Sequence, residues 1–277
     1  MTISELLTWS KKQFFGMENW YMESRILLGY VLGQDAAELI AHGDRKLSAT
    51  QIDSYKKIVV KRQKGIPVAY LTGVREFWSL PIRVNDRVLI PRHETETLVE
   101  RVLALIDGCP NAGILELGTG SGAIALALAS ELPHARISAT DNSMQALAVA
   151  RGNQSALGFN NIEFLQGDWF KNLGGEKYHL ICSNPPYLSA DDKHLQIGDV
   201  RFEPRDALVA DGCGYAAINH IARHAKTYLR SGGWIVLEHG FQQGQGVRER
   251  LSDDGYGDVT TAQDLSGNDR VTAARLN

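Results

Sequence analysis

The stretch ILELGTGSGAIALALA joins an apolar run to Gly118, Gly120 and Gly122 and then to an alanine-rich helical pattern. Glycine turns the backbone tightly and lets it approach a ligand with no Cβ in the way, so Gly118–Gly122, with Thr119 and Ser121 between the glycines, form a candidate ligand loop. Gly118, Gly120 and Ala123 also satisfy G-x-G-x-x-G/A, which fits NAD, FAD or a methyl donor, and a tight turn without ligand is the plain alternative. Glu116 bears on the choice. Near the end of the strand, a carboxylate repels a pyrophosphate and favours a cationic ligand such as S-adenosylmethionine, which carries an ammonium and a sulfonium. Otherwise it is an ordinary strand-end acid.

Asp141 ends the next expected strand, in ISATD, about twenty residues past the glycine turn, where a carboxylate accepts hydrogen bonds from ribose hydroxyls. Its competing role is capping the following helix, a task that Asn142 or Ser143 could also perform. Asp168 and Trp169 follow the third strand in FLQGDWF. An acid there accepts from an adenine amino group and an apolar neighbour covers the ring, although a Trp after a strand is commonly plain packing.

Asn184, Pro185, Pro186 and Tyr187 follow the strand YHLICS. The two prolines stiffen the loop and remove two backbone donors, so the carbonyls of this stretch and the Asn184 side chain form an acceptor-rich edge that selects an NH2 group. The nitrogen of an amide or aryl NH2 is a poor nucleophile because its lone pair is delocalised. Two acceptors on its hydrogens, with Tyr187 stacked on the planar group, would aim it at a methyl sulfonium carbon and stabilise the charge developing on nitrogen, without a general base. An Asn-Pro turn with a structural Tyr is the competing reading. Asn184 is therefore a candidate for both substrate and cofactor binding, and Asn184, Pro185 and Tyr187 are the candidate catalytic residues.

These residues need a scaffold of alternating strands and helices. From Ile114 the pattern runs strand Ile114–Leu117, helix Ala123–Leu132, strand Arg136–Thr140, helix Met144–Leu157, strands Ile162–Gln166 and Tyr178–Ser183, a helix near Tyr215–Leu229, strand Trp234–Glu238, a helix near Gln245–Leu251, and strands near Asp258–Ala262 and Arg270–Arg275. Repeated βα units imply an α/β fold with a mostly parallel, doubly wound sheet and ligands at the carboxyl ends of its strands.

The front of the chain reads as helical: Ile3, Leu6, Leu7 and Phe14 share one face, Tyr21–Leu32 runs to Gly33, and Ala36–Ala41 is a short third helix. Ser48 and Gln51 make a capping box, and Ile52, Tyr55, Ile58 and Arg62 follow at helical spacing, giving a helix over Ser48–Lys64 that Gly65 and Pro67 end. Lys57, Lys61 and Lys64 form a basic ridge on it, either a solvated face or a docking face for an acidic partner. From Val74 to Ile90 the period becomes two, with Pro81 between the half-runs, which predicts a hairpin. Then PRHETETLVERVLALID begins a helix with Glu94 and Glu96 in its first turn. The expected domains are 1–73, helical; 74–92, a β-hairpin linker; and 93–277, catalytic.

Of 277 residues, 44% are hydrophobic and 22% charged, which excludes disordered, collagenous and disulfide-stapled classes. No stretch approaches the ~20 apolar residues of a membrane span, so secretion and membrane insertion are not expected. Cys109, Cys182 and Cys213 show neither disulfide nor metal spacing, so a reduced, cytoplasmic protein without metal is expected. Residues 1–92 hold 14 Lys and Arg against 9 Asp and Glu, and the remainder 15 against 23, so only the front is basic. A net −8 catalytic portion is poorly suited to a bulk polyanion.

The order ELGTGSG, ATD, GDWF, SNPPY resembles class I S-adenosylmethionine-dependent methyltransferases with an NPPY loop. The stretches PVAYLTGVREFWSLPIRVNDRVLIPR, ETETLVE and GDVRFEPRDALVADG extend the likeness over nearly the whole chain to the release factor glutamine N5-methyltransferases, the HemK/PrmC family. That resemblance implies a methyltransferase converting S-adenosyl-L-methionine to S-adenosyl-L-homocysteine. Its N-terminal helical domain would help dock a class 1 peptide chain release factor, and its catalytic domain would methylate the glutamine of the GGQ loop. It further implies that Gly118–Gly122 form the cofactor loop, Asp141 binds ribose, Trp169 lies on the adenine side, and Asn184–Tyr187 hold the substrate amide. A cytoplasmic monomer, with no nucleic acid substrate or membrane partner, is expected. Where the family commonly shows Pro-[Asp/Glu]-Thr-Glu after the Pro-Arg pair, His93 replaces the proline, which bears on local rigidity. A ribosomal protein glutamine, a flipped adenine amine and a non-enzymatic dinucleotide-binding module are the alternatives.

Overall fold

A computed structural model describes residues 1–14 and 16–277. The chain divides into two units, one comprising Met1–Val74 with Gln196–Phe202 and the other Arg75–Leu195 with Glu203–Asn277. The first is helical: α1 (Ile3–Gln13), α2 (Trp20–Leu32), α3 (Ala36–Ala41), α4 (Ala49–Gln63) and α5 (Val68–Thr72). Capping boxes begin α1 (Thr2, Glu5), α3 (Asp35, Glu38) and α4 (Ser48, Gln51), each satisfying first-turn amides that would otherwise lack partners. Ile3, Leu6, Phe14, Leu27, Leu28, Tyr55 and Val59 form the unit's core. The sequence pattern does not anticipate α5, which Pro67 begins and Gly73, at φ 75°, ends.

Strands β1 (Val74–Phe77) and β2 (Leu80–Arg83) form the hairpin. It is shorter than the alternation to Ile90 suggests. The Asn85 side chain accepts from the Arg87 amide (3.0 Å) and its carbonyl from the Val88 amide (3.2 Å), a turn that stops the strand, while Val84, Val88 and Ile90 stay buried in irregular backbone. The hairpin turn places Trp78 and Ser79 at φ 52° and 59°. Two hydrogen bonds hold Trp78 there: its amide to Glu96 (2.9 Å) and its indole N–H to Glu131 (2.8 Å). The helix expected at PRHETET begins instead as a single 3-10 turn, His93–Thr95, before α6 (Glu96–Leu105).

The remaining elements are β3 (Gly113–Leu117), α7 (Ala123–Glu131), β4 (Arg136–Asp141), α8 (Met144–Leu157), β5 (Ile162–Gln166), β6 (Tyr178–Ser183), α9 (Ala216–Ala225), β7 (Leu229–Glu238), α10 (Gly244–Asp253), β8 (Tyr256–Gln263) and β9 (Asp269–Leu276). They build a seven-stranded sheet in the order β5-β4-β3-β6-β7-β9-β8, parallel from β5 to β7 and antiparallel where β9 joins β7 and β8. Leu115 and Leu117 of the central strand pack with Ile181, Ile235 and Leu237 against Ile218 and Ile221 of α9 and Val247 and Leu251 of α10. Side chains alternate across a strand, so Glu116 points to the opposite face, where it is 1% exposed. The order reverses beside β3: the chain moves from β3 outward through β4 to β5, then returns to β6 on β3's other side. That switch point opens a crevice at the strands' carboxyl ends, where the glycine loop and the Asn184–Tyr187 loop both emerge.

Candidate active site

A cavity of about 480 Å³ occupies this crevice, lined among others by Gly118, Gly120, Asp141, Asp168, Trp169, Asn184 and Pro186. Seven of the sequence-predicted site residues therefore converge on one space. Glu116, Thr119, Ser121, Gly122, Pro185 and Tyr187 are not among its lining residues, and each supports those that are or lies in the same loops.

The glycine loop is shaped by a few hydrogen bonds. The amides of Gly118 and Thr119 both donate to the Thr140 carbonyl (2.9 Å each), and the Gly120 amide donates to Asp141 Oδ2 (2.8 Å). Gly118 and Gly120 have φ of 73° and 55°. A Cβ on Gly120 would meet nothing within 4 Å and one on Gly118 only the Trp169 ring at 3.7 Å, so these two leave room for a ligand. Gly122 serves packing instead, for a Cβ there would lie 3.1 Å from the Ala150 methyl and 3.3 Å from Leu126 and Phe164. Asn153 of α8 pins the loop from behind. Its Nδ2 donates to the carbonyls of Ser121 (2.9 Å) and Arg83 (3.0 Å), and its Oδ1 accepts from the Arg83 amide (2.9 Å).

Asp141 thus accepts from Gly120 through one oxygen, and from the Ser143 amide through the other (2.9 Å). Ser143 itself caps α8, accepting from the Ala146 amide (3.2 Å), so the helix does not need Asp141 as its cap. Burial holds the Asp141 carboxyl above its ordinary range, against the stabilising pull of those amides. Beneath the loop, the Thr119 hydroxyl donates to Glu116 Oε2 (2.7 Å), while Oε1 is buried without a partner. Desolvation pushes the Glu116 carboxyl up to about 7, opposed by that Thr119 bond. Trp169 sits at φ 54°, its carbonyl accepting from the Thr140 hydroxyl (3.2 Å).

Asn184 extends from the end of β6. Its Nδ2 donates to the Thr95 hydroxyl (3.2 Å), which fixes the amide's orientation with Oδ1 at the opposite end. Thr95 is 4% exposed. The Tyr187 hydroxyl makes a long hydrogen bond to Glu238 Oε1 (3.4 Å), and the Tyr187 carbonyl accepts from Gln243 Nε2 (3.2 Å). Glu238 is 1% exposed with its other oxygen unpartnered, and burial pushes its carboxyl up to about 7, opposed by the Thr95 hydroxyl and the Arg270 charge. Burial and the nearby Glu238 charge also raise the Tyr187 phenol.

Thr95 and Glu238 were not readable from the sequence as site residues. The HETET stretch offers a signal only through its acids, and Glu238 is one more strand-end carboxylate until the sheet order sets it beside β6. His93, in the position of the family's proline, is 61% exposed with Nδ1 3.7 Å from Glu96. Among the described residues, no group of three or more His, Cys, Asp or Glu is placed to hold a metal ion, and no helix is long and apolar enough to cross a membrane.

Residues 94–212 match the methyltransferase small domain family, and residues 5–73 match the PrmC N-terminal domain family. A release factor glutamine methyltransferase of Xylella fastidiosa is 48% identical over 254 residues, covering 92% of each chain. The Escherichia coli protein of the same name is 47% identical over 253 residues, covering 91% of each. Among solved structures, a methyltransferase from Pyrococcus furiosus superposes with a TM-score of 0.52 at 18% identity, over 79% of this chain and 96% of that one, a likeness of fold. With near-half identity running through both the helical and the α/β portions, the chain belongs to the release factor glutamine methyltransferase family.

Proposed function

We propose that this protein transfers a methyl group from S-adenosylmethionine to the side-chain amide nitrogen of the GGQ glutamine of a class 1 release factor. The observation that carries the reading is the Asn184 amide at the cavity wall, its NH2 end engaged by Thr95 and its Oδ1 end left as an acceptor. The methyl donor's fit is supported by the two glycines that leave space, by the Asp141 carboxylate, and by a buried Glu116 oxygen that lacks a partner. Under this reading Asp141 holds the ribose, Trp169 and Asp168 lie at the adenine, and the Gly118–Gly122 loop with Glu116 beneath it takes the amino acid portion. When bound, S-adenosylmethionine supplies a methyl group on a positively charged sulfur.

The chain's own residues prepare the acceptor. Asn184 Oδ1 and the carbonyls of the Asn184–Pro186 stretch accept the two hydrogens of the substrate amide, and Tyr187 covers its planar face. Acceptors on both hydrogens would raise electron density on the nitrogen and stabilise the positive charge it acquires as the new N–C bond forms and the methyl's bond to sulfur breaks, its electron pair staying on the sulfur of the S-adenosylhomocysteine product. The nitrogen then loses one proton to water. No base has to act beforehand, so the reaction does not depend on a side-chain carboxylate to take the proton. A release factor acceptor places the activity in the cytoplasm.

The test incubates the protein with methyl-labelled S-adenosylmethionine and, in separate arms, unmethylated release factor, ribosomal protein and adenine-containing single strands. Label on the release factor alone is expected. Label confined to another arm would retain the cavity chemistry and overturn the acceptor.

A further inference from the structure

The helix α4 buries a charge on its apolar face. Arg62 follows Tyr55 and Ile58 at helical spacing, and its side chain is 10% exposed. Its guanidinium is fully committed: Nε and Nη2 donate to the two oxygens of Glu23 (2.7 and 2.8 Å), and Nη1 donates to Asp199 Oδ1 (2.8 Å) and toward the carbonyls of Gly65 (3.3 Å) and Ile66 (3.4 Å). A two-pronged Arg–carboxylate pair within α2 and α4 accounts for Glu23. Asp199 is different, because it lies 137 positions away in sequence, on the stretch that follows the Asn184–Tyr187 loop.

That stretch has an unusual course. After Tyr187 the chain passes to Leu195, is held within the helical unit over Gln196–Phe202, and rejoins the catalytic unit at Glu203. A second feature seats it: Gly65 has φ 92°, and a Cβ there would lie 2.1 Å from Arg201 Nη2 and 3.0 Å from the Phe202 ring. Where the chain returns, the buried Glu203 carboxylate accepts from the Ile90 amide (3.0 Å) and pairs with Arg92. The next four residues, Pro204 to Ala207, line the cavity. One connection therefore runs from the amide-holding loop, through a segment fastened by Arg62, to the cavity rim.

We infer that Arg62, through Asp199, is a positioning residue for methyl transfer: it holds the chain between the Asn184–Tyr187 loop and the Pro204–Ala207 rim ordered before the protein substrate arrives. The inference rests on the proposed protein acceptor. Its kinetic consequence is specific. A segment released from the clamp must be ordered by the incoming substrate, and the apparent affinity falls by the fraction of molecules already ordered, whereas the chemistry in the assembled complex is unchanged. The burden falls on KM for the release factor, not on kcat or on cofactor affinity.

Asp199→Ala isolates this role, since it leaves the Arg62–Glu23 pair and two backbone acceptors for the guanidinium. Loss of one charge-assisted bond should raise KM for intact release factor about tenfold, with kcat and S-adenosylhomocysteine affinity within about twofold of the parent. Amide hydrogen exchange over residues 188–207 of the free full-length protein should accelerate by a similar factor, and Asp199→Glu should recover most of both effects. Unchanged exchange in Asp199→Ala would overturn the clamp. Faster exchange with unchanged KM, or a fall in kcat and cofactor affinity together, would overturn its positioning role. The exchange measurement needs no substrate, so it reports on the clamp even if the parent protein leaves the release factor unlabelled, a result that would count against the acceptor instead.

Discussion

Thr95→Val tests the orientation of the Asn184 amide with almost no change in shape. In the parent, the Thr95 hydroxyl is the acceptor for Asn184 Nδ2 at 3.2 Å, and it is buried. Valine leaves that donor without its partner. A neutral hydrogen bond contributes about 1 kcal/mol, and an unsatisfied buried donor costs about 1–3 kcal/mol. Asn184 is half-buried at the cavity wall, so water or a flipped amide can recover part of this. The flip is itself damaging, since it presents NH2 rather than Oδ1 to the substrate NH2. A net loss of about 1.4 kcal/mol in the transition state corresponds to a roughly tenfold lower kcat. Single-turnover methylation of release factor at saturating S-adenosylmethionine reads it directly. Thr95→Ser, which retains the oxygen, should stay within about threefold of the parent, and S-adenosylhomocysteine affinity should be unchanged in both because Thr95 does not line the cavity. A Thr95→Val enzyme with parental kcat would refute the claim that this hydrogen bond sets the amide's orientation.

Asp141→Asn retains one oxygen where two are used, so its NH2 must face the amide of Gly120 or of Ser143, donor against donor. Calorimetric titration should show S-adenosylhomocysteine binding weakened roughly 10- to 150-fold, the equivalent of about 1.5–3 kcal/mol for a hydrogen bond to a charged group; parental affinity would contradict the ribose and loop roles. Glu238 and Glu116 both have carboxyls raised to about 7 from 4.5, so the native state binds protons that the unfolded chain has released. Stability is then greatest below the unfolded value and falls as pH rises from about 4.5 through 7, by about 3 kcal/mol for each acid. Glu238→Gln should remove about half of that combined slope in urea unfolding curves measured at intervals between pH 4.5 and 8, and parallel parent and variant curves would refute the buried-acid account.

The α/β portion was largely legible because each element carries its own period. Ala123–Leu132 and Met144–Leu157 have helical spacing, the strand at Tyr178–Ser183 is a short apolar run, and the glycine loop marks the switch point by itself. Local signals failed where a distant partner decides the conformation. Alternation continues to Ile90, but the Asn85 turn and the Glu203 carboxylate on the Ile90 amide replace a ladder partner that β1 does not offer. Trp78 and Ser79 carry no glycine signal for positive φ; Glu96 and Glu131 hold the turn from other elements. Within the candidate site, Asp141 and Asn184 announce themselves by motif, whereas Thr95, 89 residues from Asn184 in sequence, acquires meaning only through the hydrogen bond that joins the two in space, and Glu238 only through its bond with the Tyr187 hydroxyl. Gly122 shows the converse, a motif glycine whose missing Cβ makes room for Ala150 and Phe164 rather than for a ligand. The return of Gln196–Phe202 to the helical unit has no periodic signature, because a 3-10 turn and the Asp199–Arg62 ion pair set its path.

The central claim is that Asn184 presents an acceptor to a glutamine amide in a chain already able to bind the methyl donor. The direct measurement is peptide mass mapping of release factor after reaction with parent protein and with Asn184→Ala, each first shown by titration to bind S-adenosylhomocysteine equally. One added methyl on the GGQ glutamine with the parent, and a loss of several powers of ten in its rate of appearance with Asn184→Ala at equal cofactor affinity, is the expected result. Parental methylation by Asn184→Ala, or a methyl placed on another residue, would contradict it.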